Sequence, residues 1–173
     1  MQHDWYGMPI EHSFQWCLAS DGSFLWYLAI VPGAGVHDAS ITAASFHEGL
    51  WLNDCVELFL RDPKSGRYLE FNIGPQSAWW RCSFLNYRER DLKQKSDPQA
   101  EVFTVQLEGR WIAGISMALS ELGFEKLSDL EAHAACIIGT PNQRFISSNP
   151  LKGSDPDFHT AEVFLPISVI ALP

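Results

Sequence analysis

The chain has 173 residues, of which 46% are hydrophobic and 19% charged, a globular composition large enough for one domain with a sizeable core. A net charge of -9 and a pI near 5.0 disfavour nucleic acid and anionic membrane surfaces, both of which call for Lys and Arg. The same balance accepts a neutral or cationic ligand.

No stretch reaches the roughly 20 apolar residues of a membrane span. The opening MQHDWYGMPIEHSFQW carries neither a basic n-region nor an apolar h-region, the pattern expected of a cytoplasmic protein. Cys17, Cys55, Cys82 and Cys136 are widely spaced in apolar runs and read as buried free thiols.

In chain order, Phe14 to Ala19 and Phe24 to Val31 form a first predicted hairpin about Ser20-Asp21-Gly22-Ser23. Val56 to Arg61 and Tyr68 to Ile73 form a second, about a turn with Pro63 and Gly66. Ala78 to Phe84 follows. Val102 to Leu107 and Trp111 to Met117 form a third hairpin about Glu108-Gly109-Arg110. Glu131 to Gly139 and Ala161 to Leu165 complete about nine strands, with one helical turn at Ser120 to Leu122. Short strands at even spacing predict an all-β antiparallel sandwich, immunoglobulin- or jelly-roll-like, as a single domain over 1–173. Arg88 to Gln99 and Pro141 to Phe158 read as long loops of the kind that often carry binding residues.

The second hairpin is the most informative stretch. Strand alternation gives Val56, Leu58 and Leu60 one face and Glu57, Phe59 and Arg61 the other. Leu69, Phe71 and Ile73 share the apolar face of the next strand, opposite Tyr68, Glu70 and Asn72. The polar face is expected to look outward. Three of the seven tryptophans, Trp51, Trp79 and Trp80, stand nearby; Trp16, Trp26 and Trp111, each in mid-strand, are the expected core tryptophans. Indoles offer flat apolar platforms for the C–H faces of a sugar, and carboxylates and amides hydrogen-bond its hydroxyls.

WLNDCVELFL, GRYLEFNIGPQSAWW and PDFHTAEVF resemble the carbohydrate-binding modules of family 9 and their DOMON-like relatives, especially the stand-alone bacterial domains of this type. Strand order agrees over about residues 10 to 170, and the specific motifs lie at 46–81 and around 156–164. The resemblance implies a β-sandwich that binds a carbohydrate, or a related small polar ligand, without catalysis. Trp51 matches the family's first stacking tryptophan and Glu57 its hydroxyl-binding glutamate. Asn72 stands where the family has arginine, and Phe158 or His159 where it has a second, late tryptophan. Trp79 or Trp80 would flank the ligand, Glu70 would add a hydrogen bond, and Arg81 or Arg88 a charged contact.

Other constellations carry different chemistry. Glu57 and Glu70 are also the residue types of a glycosidase acid pair. Asp155 and Asp157 near His159 are oxygen donors for a structural calcium, or simply turn formers. Haem-binding DOMON relatives use Met and His ligands, which directs attention to Met8 and Met117. His47-Glu48 are adjacent and would point to opposite faces, and His133 reads as an interior histidine. An aromatic patch meeting a protein partner is a further reading. No sequence feature fixes an oligomeric state.

Overall fold

The computed structural model describes residues 3–93, 99–124, 126–149, 153–167 and the backbone of 170–171. Parts of the predicted loops Arg88 to Gln99 and Pro141 to Phe158 therefore lie outside the described residues. The described residues form twelve strands: β1 (Gln15–Ser20), β2 (Phe24–Pro32), β3 (Cys55–Arg61), β4 (Tyr68–Ile73), β5 (Trp79–Asn86), β6 (Glu89–Arg90), β7 (Glu101–Leu107), β8 (Arg110–Ala118), β9 (Glu131–Ile138), β10 (Arg144–Ser147), β11 (Leu165–Pro166) and β12 (Ile170–Ala171). The one α-helix among the described residues, α1 (Leu119–Leu122), is a single turn, far too short to cross a membrane.

Two sheets pack face to face, ordered β12-β1-β2-β8-β7 and β10-β9-β3-β4-β5-β6, with β11 also on β9. All pairings are antiparallel except the short β1–β12 pair. The predicted β-sandwich is thus the observed one. Eight of the nine expected strands fall on β1 to β5 and β7 to β9. The ninth does not: Ala161–Val163 is a 3-10 turn, and only Leu165 and Pro166 extend.

The hairpins form for the reasons visible in the sequence. In β2, Leu25, Tyr27, Ala29 and Val31 are buried while Phe24 and Leu28 are exposed, the period-2 pattern of a strand with one solvated face. β3 and β4 differ, because both their faces are buried. Val56 faces Ile73, Leu58 faces Phe71 and Leu60 faces Leu69, and all six enter the core between the sheets. The opposite face holds Glu57 beside Asn72 and Phe59 beside Glu70. That face was expected to be solvated, yet Glu57 is 4%, Glu70 5% and Asn72 0% exposed.

The burial comes from segments laid over this face. Leu50, Phe158, Val163 and Phe164 join Phe59, Tyr68, Trp80 and Phe84 in a second apolar cluster, with Trp5 and Trp51 against it. Of the expected core tryptophans, Trp111 is fully buried, whereas Trp16 and Trp26 are half-buried. Cys55, Cys82 and Cys136 are buried free thiols, but Cys17 is an exposed one, because it alternates outward on β1.

Candidate functional site

Asp54 sets the mouth of the site. Its carboxylate, 1% exposed, accepts the backbone N–H of Val36 at 3.0 Å and of Thr140 at 2.9 Å. One buried charge thereby ties two distant loops to the start of β3, and charge-assisted bonds of this kind are the strong ones. Just before it, Gly49 takes a left-handed φ of 92°, which lets the chain enter the 3-10 turn Leu50–Leu52 that carries Trp51. Gln143 Nε2 donates to the Trp51 carbonyl at 2.9 Å and fixes that turn.

Trp51 and Trp80 meet edge to face, with centroids 5.2 Å apart and planes inclined at 61°. Both line a cavity of about 370 Å³, within the ordinary range of roughly 300–1,000 Å³ for ligand pockets. Its aromatic walls continue through Phe84, Phe145 and Phe158. Phe158 is held by Trp5 at 6.2 Å and Phe145 at 6.4 Å, and Trp5 Nε1 donates to the Gly153 carbonyl at 3.1 Å. The N-terminal segment therefore props up the late loop, a role that no motif around Trp5 announced.

The polar floor is Glu57 and Glu70, with His159, Arg88 and Arg90 around it. Burial, and then the charge of Glu70, pushes the Glu57 carboxyl well above the usual carboxylate range. Burial raises Glu70 to about 7, although Asn72 Nδ2 donates to its Oε1 at 2.9 Å. Burial lowers His159 to about 4, so its ring is neutral at pH 7. Tyr68 Oη accepts the Arg88 backbone N–H at 3.0 Å and shares a 2.8 Å hydrogen bond with His159 Nδ1, whose direction follows the ring's tautomer. His159 Nε2 lies 3.8 Å from Glu70 Oε2. That gap is too long for a hydrogen bond.

The two arginines are held by acids of their own. Arg88 pairs with Asp157 at 3.0 Å and Arg90 with Glu48 at 2.6 Å, while the Arg90 guanidinium lies 5.2 Å over the Trp80 ring. Asp157 also accepts the Tyr87 hydroxyl at 2.5 Å. No cluster of three His, Cys, Asp or Glu able to hold a metal ion occurs among the described residues.

The structure brings together Trp51, Glu57, Glu70, Trp80, Arg88 and Phe158 of the predicted site residues. Asn72 sits beneath the cavity, fully buried against Glu70, and its Oδ1 has no hydrogen-bond partner. Trp79 and Arg81 do not join them. Trp79 belongs to the core between the sheets, and Arg81 Nη1 reaches Met117 Sδ in that same core at 4.0 Å. Strand alternation places both on the face opposite Trp80. Met117, one of the methionines of the haem reading, is thus sealed between the sheets, and Met8 is 60% exposed in the N-terminal turn. Sequence reasoning missed Arg90, Phe84, Gln143 and Phe145. Phe84 has the parity of Trp80 on β5 and was findable; the others needed the loop paths.

No family model matches the chain, and no curated protein matches it in sequence. Among solved structures it is similar to a candidate carbohydrate-binding protein from Bacteroides uniformis, with a TM-score of 0.67 at 16% identity, over 88% of this chain and 76% of that one. It is also similar to a family 9 carbohydrate-binding module from Caldicellulosiruptor kristjanssonii solved with glucose, with a TM-score of 0.61 at 13% identity, covering 93% and 78% of the two chains. A family 9 module from the same organism solved with cellotriose aligns at a TM-score of 0.53, 14% identity and 78% and 64% coverage. At these identities the likeness establishes the fold, a two-sheet β-sandwich.

Proposed function

We propose that the chain is a non-catalytic carbohydrate-binding domain of the family 9 kind, with the cavity beside Trp51 as its binding site. One observation carries this reading: a half-buried indole stands at the mouth of a cavity whose floor is buried carboxyl groups and whose walls are aromatic. Trp51 offers its face to the C–H side of a sugar ring. Glu57, Glu70 and the His159 ring meet hydroxyls, and Arg88 bounds the far side. Asn72 acts from beneath by orienting Glu70. The solved neighbours bound to glucose and cellotriose support the same reading from the fold.

Isothermal titration against a panel of mono- and oligosaccharides tests it. Binding at millimolar or tighter, lost at least tenfold in Trp51→Ala, is expected. Absence of any sugar ligand, or undiminished binding by Trp51→Ala, would overturn it. The hydrolase alternative predicts turnover of chromogenic glycosides that disappears in Glu57→Gln. A haem module would show a Soret band after reconstitution.

A further inference from the structure

We infer that the cavity beside Trp51 selects a sugar bearing a free, positively charged amine over its neutral counterpart. This rests on the carbohydrate-binding reading and specifies its ligand class.

Charge inside the cavity is one-sided. Two carboxyl groups line it, each at least nine-tenths buried. Glu70 has the Asn72 amide as a donor on one oxygen. Glu57 has the Cys55 thiol, 3.8 Å from its Oε1, as its side-chain donor. A thiol is a weak donor. No cationic side chain lies within ion-pair distance of Glu57 among the described residues, and Glu70 has the neutral His159 ring at 3.8 Å.

The arginines at the rim reach the pair only through space: Arg88 lowers Glu57 and Glu70, and Arg90 lowers Glu70, each by less than burial raises them. Each is committed at 3.0 Å or less to an acid outside this pair, Asp157 or Glu48. Two buried carboxyls that lack a paired cation are costly to ionise. A ligand ammonium delivered between them relieves that cost, and its three N–H donors suit several acceptor oxygens.

The walls agree. Trp51, Trp80, Phe84, Phe145 and Phe158 surround the same space. Aromatic faces attract a desolvated cation through their ring quadrupole. Arg90 already occupies a face of Trp80, which leaves Trp51 and the phenylalanines for the ligand. The net charge of -9 favours approach of a cation.

The remaining titratable and charged groups around the pair are few. Cys55 comes from β3, Tyr68 from β4, Cys82 from β5, Arg90 from β6, Cys136 and His133 from β9, and Glu48 from the segment before the Trp51 turn. Arg88 stands in the β5–β6 turn, and Asp157 and His159 in the late loop. Burial holds Tyr68 up to about 12 and His133 down to about 3, so neither changes charge near pH 7. Proton exchange near neutrality therefore belongs to the carboxyl pair. Entry of an ammonium ionises a carboxyl that the empty site keeps protonated, and that proton leaves to solvent.

The test is calorimetry at pH 7 with glucose, glucosamine, galactose, galactosamine and methylammonium chloride, repeated in buffers of different ionisation enthalpy. At least a tenfold preference for the aminosugar is expected, with net proton release on binding. In Glu57→Gln and Glu70→Gln the ratio of aminosugar to neutral-sugar affinity should fall towards unity, whatever affinity for either sugar is lost. Equal affinity for glucose and glucosamine, or a preference that survives both substitutions, overturns the inference but leaves the carbohydrate reading standing. Methylammonium binding as tightly as glucosamine, with no neutral sugar bound, overturns the carbohydrate reading and with it the aminosugar. Failure of every probe overturns both.

Discussion

The two faces of the β3–β4 hairpin are built from neighbouring residues and do opposite things. One face, Val56 to Leu60 against Leu69 to Ile73 in alternation, is aliphatic and aromatic and packs on a second regular sheet. The other carries Glu57, Glu70 and Asn72 and is covered by loops, a 3-10 turn and the N-terminal segment. Sheet-on-sheet packing excludes water uniformly and needs no polar partners. Loop cover buries just as deeply yet leaves a cavity and ionisable groups inside it. Near-equal burial thus produces stability on one side and chemistry on the other.

The comparison is broken most severely on the aliphatic side. Phe71→Ala should cost about 3–5 kcal/mol in urea unfolding, because a ring that is 2% exposed leaves a void between two sheets that cannot close over it. A loss below about 1 kcal/mol would mean that the sheets do not pack as described.

The polar side should respond to pH instead. Glu70 has a folded value near 7 against an ordinary 4.5, so the folded state holds a proton that the unfolded state has lost between those values. Its contribution is fully present below about pH 4.5 and declines as pH rises through 7, by at most roughly 3 kcal/mol. Glu70→Gln, which keeps the acceptor for Asn72, should therefore raise stability at pH 8 and change it little at pH 4.5. Equal effects at both pH values would contradict the buried position of this carboxyl.

A smaller effect is expected where the loop cover is fastened. Asp54→Ala removes the acceptor shared by Val36 and Thr140, for a loss of about 2 kcal/mol. Faster hydrogen exchange confined to those two loops and the Trp51 turn would identify the mechanism; unchanged protection there would refute it. The surface pair Lys64–Asp129, at 3.1 Å with side chains 77% and 47% exposed, makes the control. Lys64→Ala should shift stability by less than about 0.5 kcal/mol, and a larger loss would show an unrecognised role.

Much of this was legible from alternation alone. The inward set Val56, Leu58, Leu60, Leu69, Phe71 and Ile73 follows from period 2, as does the grouping of Glu57, Glu70 and Asn72. Choosing between Trp79 and Trp80 needed the β4–β5 register, which pairs Asn72 with Trp80. Without it, Trp79 and Arg81, which share one parity, stood on equal terms with Trp80. The burial of the polar face was not legible, because it depends on contacts such as Trp5 with Phe158 and Asp54 with Thr140, across 153 and 86 positions. β10 was hidden for a similar reason: it lies inside a stretch whose Asn, Pro and Ser content reads as loop.

The Trp51–Trp80 pair has an optical consequence. Two indoles with centroids 5.2 Å apart and planes inclined at 61° are close and oblique enough for their electronic transitions to couple. The protein should show a far-ultraviolet exciton couplet in circular dichroism, superimposed on its sheet signal and abolished by replacing either indole. A ring that docks against Trp51 and alters that angle would change the couplet's amplitude, giving the binding site its own chromophore.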